Sequence, residues 1–117
     1  MTQWIEPGEL RRAIESRASV TVVDVRGLRE FFSGPVGRLA DAVNVPLREL
    51  PSCVDELRRL ARADIVVVSG TEARSARAAT QLRAAGFQHV CVLRGGMKTW
   101  RRLGYACLDA PESRRTD

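Results

Sequence analysis

The apolar positions fall into short runs of two kinds, and their order predicts the architecture. Leu10, Ala13 and Ile14 recur at i, i+3 and i+4 behind Pro7 and Gly8, which predicts a short helix with proline in its first turn. Val20-Thr21-Val22-Val23-Asp24-Val25 is β-branched and almost unbroken, the pattern of a strand covered on both faces. A helical turn around Leu28–Phe32 follows and is stopped by Gly34-Pro35. Ala42-Val43-Asn44-Val45 reads as a second strand, ended by Pro46. Ser52 has the position of an N-cap with Asp55 three residues on. The helix behind it carries Val54, Leu57 and Leu60 inward and Arg58 and Arg59 outward.

Ile65-Val66-Val67-Val68 is the most strand-like segment of the chain. It feeds a short loop and then a helix from Ser75 to Ala85, closed by Gly86 as a left-handed residue. His89–Leu93 is the next strand. Gly95-Gly96 then turns the chain into a last helix around Met97–Trp100, closed near Gly104. Strands alternating with helices at this spacing imply an α/β fold, a parallel sheet with helices on both faces and right-handed crossovers. The chain has 117 residues and shows neither repeat nor linker. One domain over residues 1–108 and a polar tail over 109–117 is the expected division.

Composition changes this picture little. Apolar residues make up 44% and charged residues 28%, which is globular rather than disordered. The net charge is +5, and Lys98 is the single lysine among 19 basic residues. The arginines are spread from Arg11 to Arg115 among acidic residues, and aromatics are only 5%, so no stacking platform for nucleic acid is expected. Cys53, Cys91 and Cys107 form no C-x-x-C pair, which argues against a disulfide framework or a zinc site. No cofactor, metal or membrane association is expected. With no membrane-length apolar stretch and no signal-like N-terminus, the cytoplasm is the expected compartment.

The segment with most chemical content is Ser69-Gly70-Thr71-Glu72-Ala73-Arg74-Ser75. In an open α/β sheet the ligand site lies at the carboxyl ends of the strands, and this loop sits at such an end. Successive backbone N–H groups at a helix start can surround an anion. A cysteine at the first loop position would have its thiolate stabilised by the same amides.

Four segments together resemble the rhodanese family. Asp24-Val25-Arg26 with Glu30-Phe31 resembles its D-x-R…E-F segment, and Gly37–Pro46 its G-H-I-x-G-A-x-N-[IV]-P segment. Ile65–Ser75 resembles its strand, cysteine loop and helix start, and Gly95-Gly96-Met97 with Trp100 its G-G-x-x-x-W signature. They stand in family order over about residues 5 to 107. The resemblance implies an open five-stranded parallel sheet and a sulfurtransferase-like loop. From Ser69 to Arg74 the loop spans six positions, the sulfurtransferase length, where similar dual-specificity phosphatases have a longer one.

The departures point away from sulfur transfer. The resemblance puts the catalytic cysteine at Ser69, and a serine oxygen cannot carry a sulfane sulfur as a persulfide. Glu72 stands where glycine is usual, bringing a carboxylate into the loop and restricting its backbone. Arg38 replaces the G-H-I histidine and Asp41 the later glycine. A lone Cys→Ser exchange would suggest an engineered substrate trap; four departures favour natural divergence. The same pattern gives Asp24 a bracing role at the loop and pairs Arg26 with Glu30 or a nearby carboxylate. Arg74 is expected to face the loop as an anion ligand.

His89 is the only histidine and precedes a strand, so no Ser-His pair is expected. Cys91 alternates with valines and reads as a small core residue, Cys107 lies near the tail and is expected to be exposed, and Cys53 sits at a helix start with nothing to place it near the loop. Met97 and Trp100 read as packing residues. Three functions compete. The favoured one is a non-catalytic module binding an unknown partner protein or a small anion at the loop. The second is an active thiosulfate or persulfide sulfurtransferase in which Ser69 is an engineered replacement or another cysteine serves. The third, a phosphate-ester hydrolase using Ser69, lacks a base.

Overall fold

Val20–Asp24 alternates between two apolar environments, and that alternation organises the molecule. In the computed structural model, which describes residues 3–61 and 64–108, Val23 and the following Val25 face one helical layer while Val22 faces the other. The elements run β1 (Trp4–Ile5), α1 (Pro7–Glu15), β2 (Val20–Asp24), α2 (Leu28–Ser33) and β3 (Val43–Asn44). A 3-10 turn (Leu47–Glu49) leads into α3 (Leu50–Leu60), followed by β4 (Asp64–Val68), α4 (Ala73–Ala84), β5 (Val90–Leu93) and α5 (Gly96–Arg102).

The strands form one five-stranded parallel sheet in the order β1-β5-β4-β2-β3. β4 lies at its centre and pairs in register with β2 from Val20↔Asp64 to Asp24↔Val68. Its even and odd positions are both buried. Ile65 and Val67 pack with Leu50 and Leu57 of α3 and Ala78, Ala79 and Leu82 of α4. Val66 and Val68 pack with Leu10 of α1 and Met97 and Trp100 of α5. Burial on both faces is why these strands carry continuous β-branched runs rather than alternating ones. The α/β class, the parallel sheet and the helices on both faces are as expected.

Three local expectations need correction. Ser52 does not cap α3: the helix begins at Leu50 behind Glu49, with Pro51 in its first turn, and the Ser52 hydroxyl donates to the Glu49 carbonyl at 2.9 Å. With the proline presetting a helical φ in the first turn, the helix starts three residues earlier than the serine signal implied. Leu60 does not face the core but is 57% exposed, whereas Leu50 is fully buried. The inward stripe runs Leu50, Cys53, Leu57 and Ala61, so Leu60 is rotated off it. Helix α4 starts two residues early, at Ala73, which puts Ser75 inside its first turn. Gly86 follows that helix with φ +101°, as expected for a left-handed terminator.

The fifth strand, Trp4–Ile5, was not among the four segments read as strands. Two residues on a sheet edge are too few to show a period. The polar tail 109–117 lies outside the described residues. No helix among the described residues is long and apolar enough to cross a membrane.

Candidate functional site

The loop leaving β4 is fixed first by its carbonyls. Met97 N–H donates to the Ser69 carbonyl at 2.8 Å and Lys98 N–H to the Gly70 carbonyl at 3.0 Å, so the start of α5 holds the back of the loop. A Cβ on Gly96 would lie 2.5–2.7 Å from the carbonyl oxygens of Gly70, Thr71 and Ser69. Gly96 also has φ +67°, so both conformation and close approach require glycine. A trans peptide points its C=O and N–H to opposite sides. With three successive carbonyls turned toward α5, the N–H groups of Gly70, Thr71 and Glu72 turn the other way, at the N-terminus of α4. Such an arrangement favours a negative charge.

Ser69 is completely buried. Its hydroxyl donates to the Thr71 carbonyl at 2.6 Å and accepts from Ser75 N–H at 3.1 Å. Ser75 Oγ lies 3.1 Å from Ser69 Oγ and donates to the Glu72 carbonyl at 3.2 Å. The serine proton is therefore held by a carbonyl oxygen, which is not a base. His89 is exposed before the start of β5, whereas Ser69 follows the end of β4, so they sit at opposite ends of a parallel sheet.

Glu72 does not strain the loop, contrary to expectation. Its φ is −97° and ψ is −9°, an ordinary helical conformation at the N-cap of α4. Its carboxylate reaches across to accept Gly95 N–H at 2.5 Å, tying the loop to the turn before α5. Arg74 lies over the loop, with one guanidinium nitrogen 3.7 Å from where a Gly70 Cβ would sit. It is not free there: it forms a bidentate pair with Glu30 at 2.7 and 3.0 Å. The Arg74 hydrogen bond and charge hold the Glu30 carboxyl below its ordinary pKa, and the same pairing raises that of Arg74. This contact, from the start of one helix to another, was not foreseen in the sequence.

Arg26 takes Asp24 as its carboxylate rather than Glu30. Both side chains are buried, with Nη2 to Oδ2 at 2.8 Å and Nε to Oδ1 at 3.0 Å. Arg26 Nη2 also donates to the Gly37 carbonyl at 2.9 Å, while Asn44 Nδ2 donates to the carbonyls of Asp24 and Arg26. The pair thus ties the end of β2 to the Gly37 turn and to β3. Asp41, where the resemblance expects glycine, has φ +63°, in the region that favours glycine.

The cysteines lie elsewhere. Cys91 and Cys107 are half-buried against the α1/α5 layer, so Cys107 is not exposed as expected, and burial raises both thiols above the ordinary value. Cys53 packs against the α3/α4 layer. Met97 and Trp100 are buried, as expected for packing residues.

Comparison with known proteins identifies the family. A model of the rhodanese-like domain matches residues 6–103. The chain belongs to the rhodanese-like domain family. This rhodanese-like domain is 30% identical over 112 residues to a protein of Allochromatium vinosum named sulfurtransferase, covering 96% of this chain and 99% of that one. Its fold matches that of a rhodanese-related protein from Thermoplasma volcanium with a TM-score of 0.78 at 27% identity, covering 92% and 98% of the two chains. It also matches a thiosulfate sulfurtransferase from Pseudomonas aeruginosa with a TM-score of 0.76 at 24% identity. That likeness is one of fold, over 90% of this chain and 20% of the other.

Proposed function

We propose that this rhodanese-like domain has lost sulfur transfer and acts as a binding or regulatory module whose ligand-facing element is the Ser69–Ser75 loop. The observation that carries the reading is the state of Ser69: buried, its hydroxyl donating to the Thr71 carbonyl, with oxygen where a persulfide would require sulfur. Two further contacts support it. The Glu72 carboxylate sits at the loop's edge on Gly95 N–H, and Arg74 is already engaged by Glu30. Both oppose the entry of thiosulfate, one by repulsion and one by competition. A hydrolase reading is disfavoured, because among the described residues the Ser69 hydroxyl is hydrogen-bonded to the Thr71 carbonyl and to Ser75 rather than to a general base.

The test is a thiosulfate:cyanide transfer assay on the protein as given, with mass spectrometry after thiosulfate treatment. The expected result is no turnover above that of free thiols and no persulfide on the loop. Turnover that is lost when Cys53, Cys91 or Cys107 is replaced would overturn the proposal in favour of the sulfurtransferase reading.

A further inference from the structure

A groove runs beside the loop, on the side of α4 that Arg74 shares. Helix α4 supplies one wall through Arg74, Arg77 and Gln81, which fall at i, i+3 and i+7 and so form one stripe. Further lining comes from the segment Pro46 to Pro51 and from Leu28 of α2. The groove holds about 620 Å3, in the range of small-ligand pockets rather than of an interface between folded domains. It is large enough for a few side chains of an extended segment.

Its surface has two chemistries. Leu28, Pro46, Leu47 and Pro51 are apolar, and Leu28 is 63% exposed although it opens a helix in contact with the body of the domain. Arg48, Arg74 and Arg77 are cationic, against one carboxylate, Glu49. Arg74 is neutralised by Glu30, but among the described residues Arg48 and Arg77 have neither an ion pair nor a hydrogen-bond partner, and both are exposed. Two open cations flanking exposed leucine and proline ask for an occupant that is both acidic and apolar. No aromatic side chain lines the groove, so stacked bases have no platform there. A free sulfate or phosphate would leave the apolar surface uncovered.

The geometry points to an acidic peptide segment of a partner protein, carrying a leucine or phenylalanine side chain, as the ligand of this groove. The apolar side chain covers Leu28, Leu47 and the two prolines, and flanking aspartate or glutamate residues meet Arg48 and Arg77. The inference rests on the binding-module reading, since it names the partner chemistry at that same end of the sheet. The chain's net charge of +5 would add long-range attraction for such a segment, most strongly at low salt.

The probe is a fluorescein-labelled peptide, Glu-Asp-Leu-Phe-Glu-Asp, titrated with the full chain by fluorescence anisotropy at low salt. Its Gln/Asn counterpart, a single-stranded RNA hexamer and inorganic sulfate serve as comparison ligands. The proposal expects the acidic peptide to bind at least tenfold more tightly than its amide counterpart or the RNA. The double variant Arg48→Glu/Arg77→Glu should weaken that binding at least tenfold, and Leu28→Ser several-fold, with circular dichroism unchanged. Both arginines are exposed, so their replacement tests recognition rather than folding. Equal affinity for the amide peptide, tighter binding of RNA, indifference to the arginine reversal, or full displacement of the peptide by millimolar sulfate would each overturn it. A failed peptide titration with no thiosulfate turnover sinks the groove alone. Thiosulfate turnover sinks the module reading whatever the peptide does.

Discussion

Arg74 and Glu30, 44 residues apart in sequence, meet as a bidentate ion pair at 2.7 and 3.0 Å across the mouth of the Ser69 loop. The pair is partly exposed, at 39% and 48% of the side chains, so its contribution to stability is about 0.5 kcal/mol. If the loop binds an anion as proposed, the pair also holds the loop arginine away from that ligand. Glu30→Gln should therefore increase sulfate affinity about fivefold, equivalent to about 1 kcal/mol. Isothermal titration with sulfate checks this; an unchanged affinity would show that Arg74 does not serve the loop.

The same pair carries a pH dependence. Because Arg74 lowers the pKa of Glu30 in the folded protein, Glu30 binds a proton less readily folded than unfolded. Its stabilisation is complete above the unfolded carboxyl pKa of about 4.3 and disappears as pH falls through the lower folded value. The stability difference between the parent and Glu30→Gln should be constant from about pH 6 to pH 8 and shrink progressively as the pH falls below about 5. Denaturant unfolding at several pH values reads it. A gap that widens on acidification would contradict the assignment.

Glu72 has two separable effects on the loop, a charge and a tie to Gly95 N–H. Glu72→Gln keeps an acceptor for that N–H and removes the charge, so sulfate affinity should rise about fivefold at nearly unchanged stability. Glu72→Gly removes both and should lower the melting temperature by a few degrees. In the Ser69→Cys background, the thiol receives Ser75 N–H at a helix start, which lowers its pKa. Ser69→Cys/Glu72→Gly should then form more persulfide with thiosulfate than Ser69→Cys alone, read by intact mass. Equal yields would show that Glu72 does not oppose persulfide formation at this loop.

Gly96→Ala tests how the loop is held. The new Cβ would lie 2.5–2.7 Å from three backbone oxygens, none of which can swing aside as a side chain can. A loss of about 3 kcal/mol or more is expected, enough to threaten a marginally stable domain. Gly8→Ala is the control, since its Cβ would meet only side-chain atoms at 3.6 and 3.8 Å. Thermal unfolding of the two variants makes the comparison, and similar melting temperatures would refute the packing argument.

The buried pair of Asp24 and Arg26 should behave non-additively. Asp24→Asn or Arg26→Met alone strands a buried polar or charged partner, at a cost of about 3–5 kcal/mol. The double variant should lose clearly less than the sum of the two. Additive losses in a double-mutant cycle would mean that the pair does not act as a unit. At the Gly37–Pro46 segment the opposite sign is expected: Asp41→Gly relieves φ +63° and should stabilise by about 0.5–1 kcal/mol. No gain in the unfolding midpoint would show that the Asp41 side chain compensates for its backbone.

Residue pattern alone determined the central strands, because burial of Val20–Asp24 and Ile65–Val68 on both sides selects an almost unbroken β-branched run, interrupted only by the buried, paired Asp24. It also marked Gly86 and Gly96, whose positive φ values admit few residue types. The segment carrying the loop followed from the strand before it and the helix after it. Tertiary structure decided what local pattern does not encode. Trp4–Ile5 is a strand only because β5 offers its edge. Leu60 looks like a core residue until the register of α3 turns it to solvent. The choice of partner among many arginines and carboxylates is likewise non-local. Arg26 takes the nearer Asp24, which releases Glu30 to Arg74, and Glu72 finds Gly95 across a turn. Periodicity records which side of an element is dry, whereas an ion pair depends on which distant segment the packed core brings within about 3 Å.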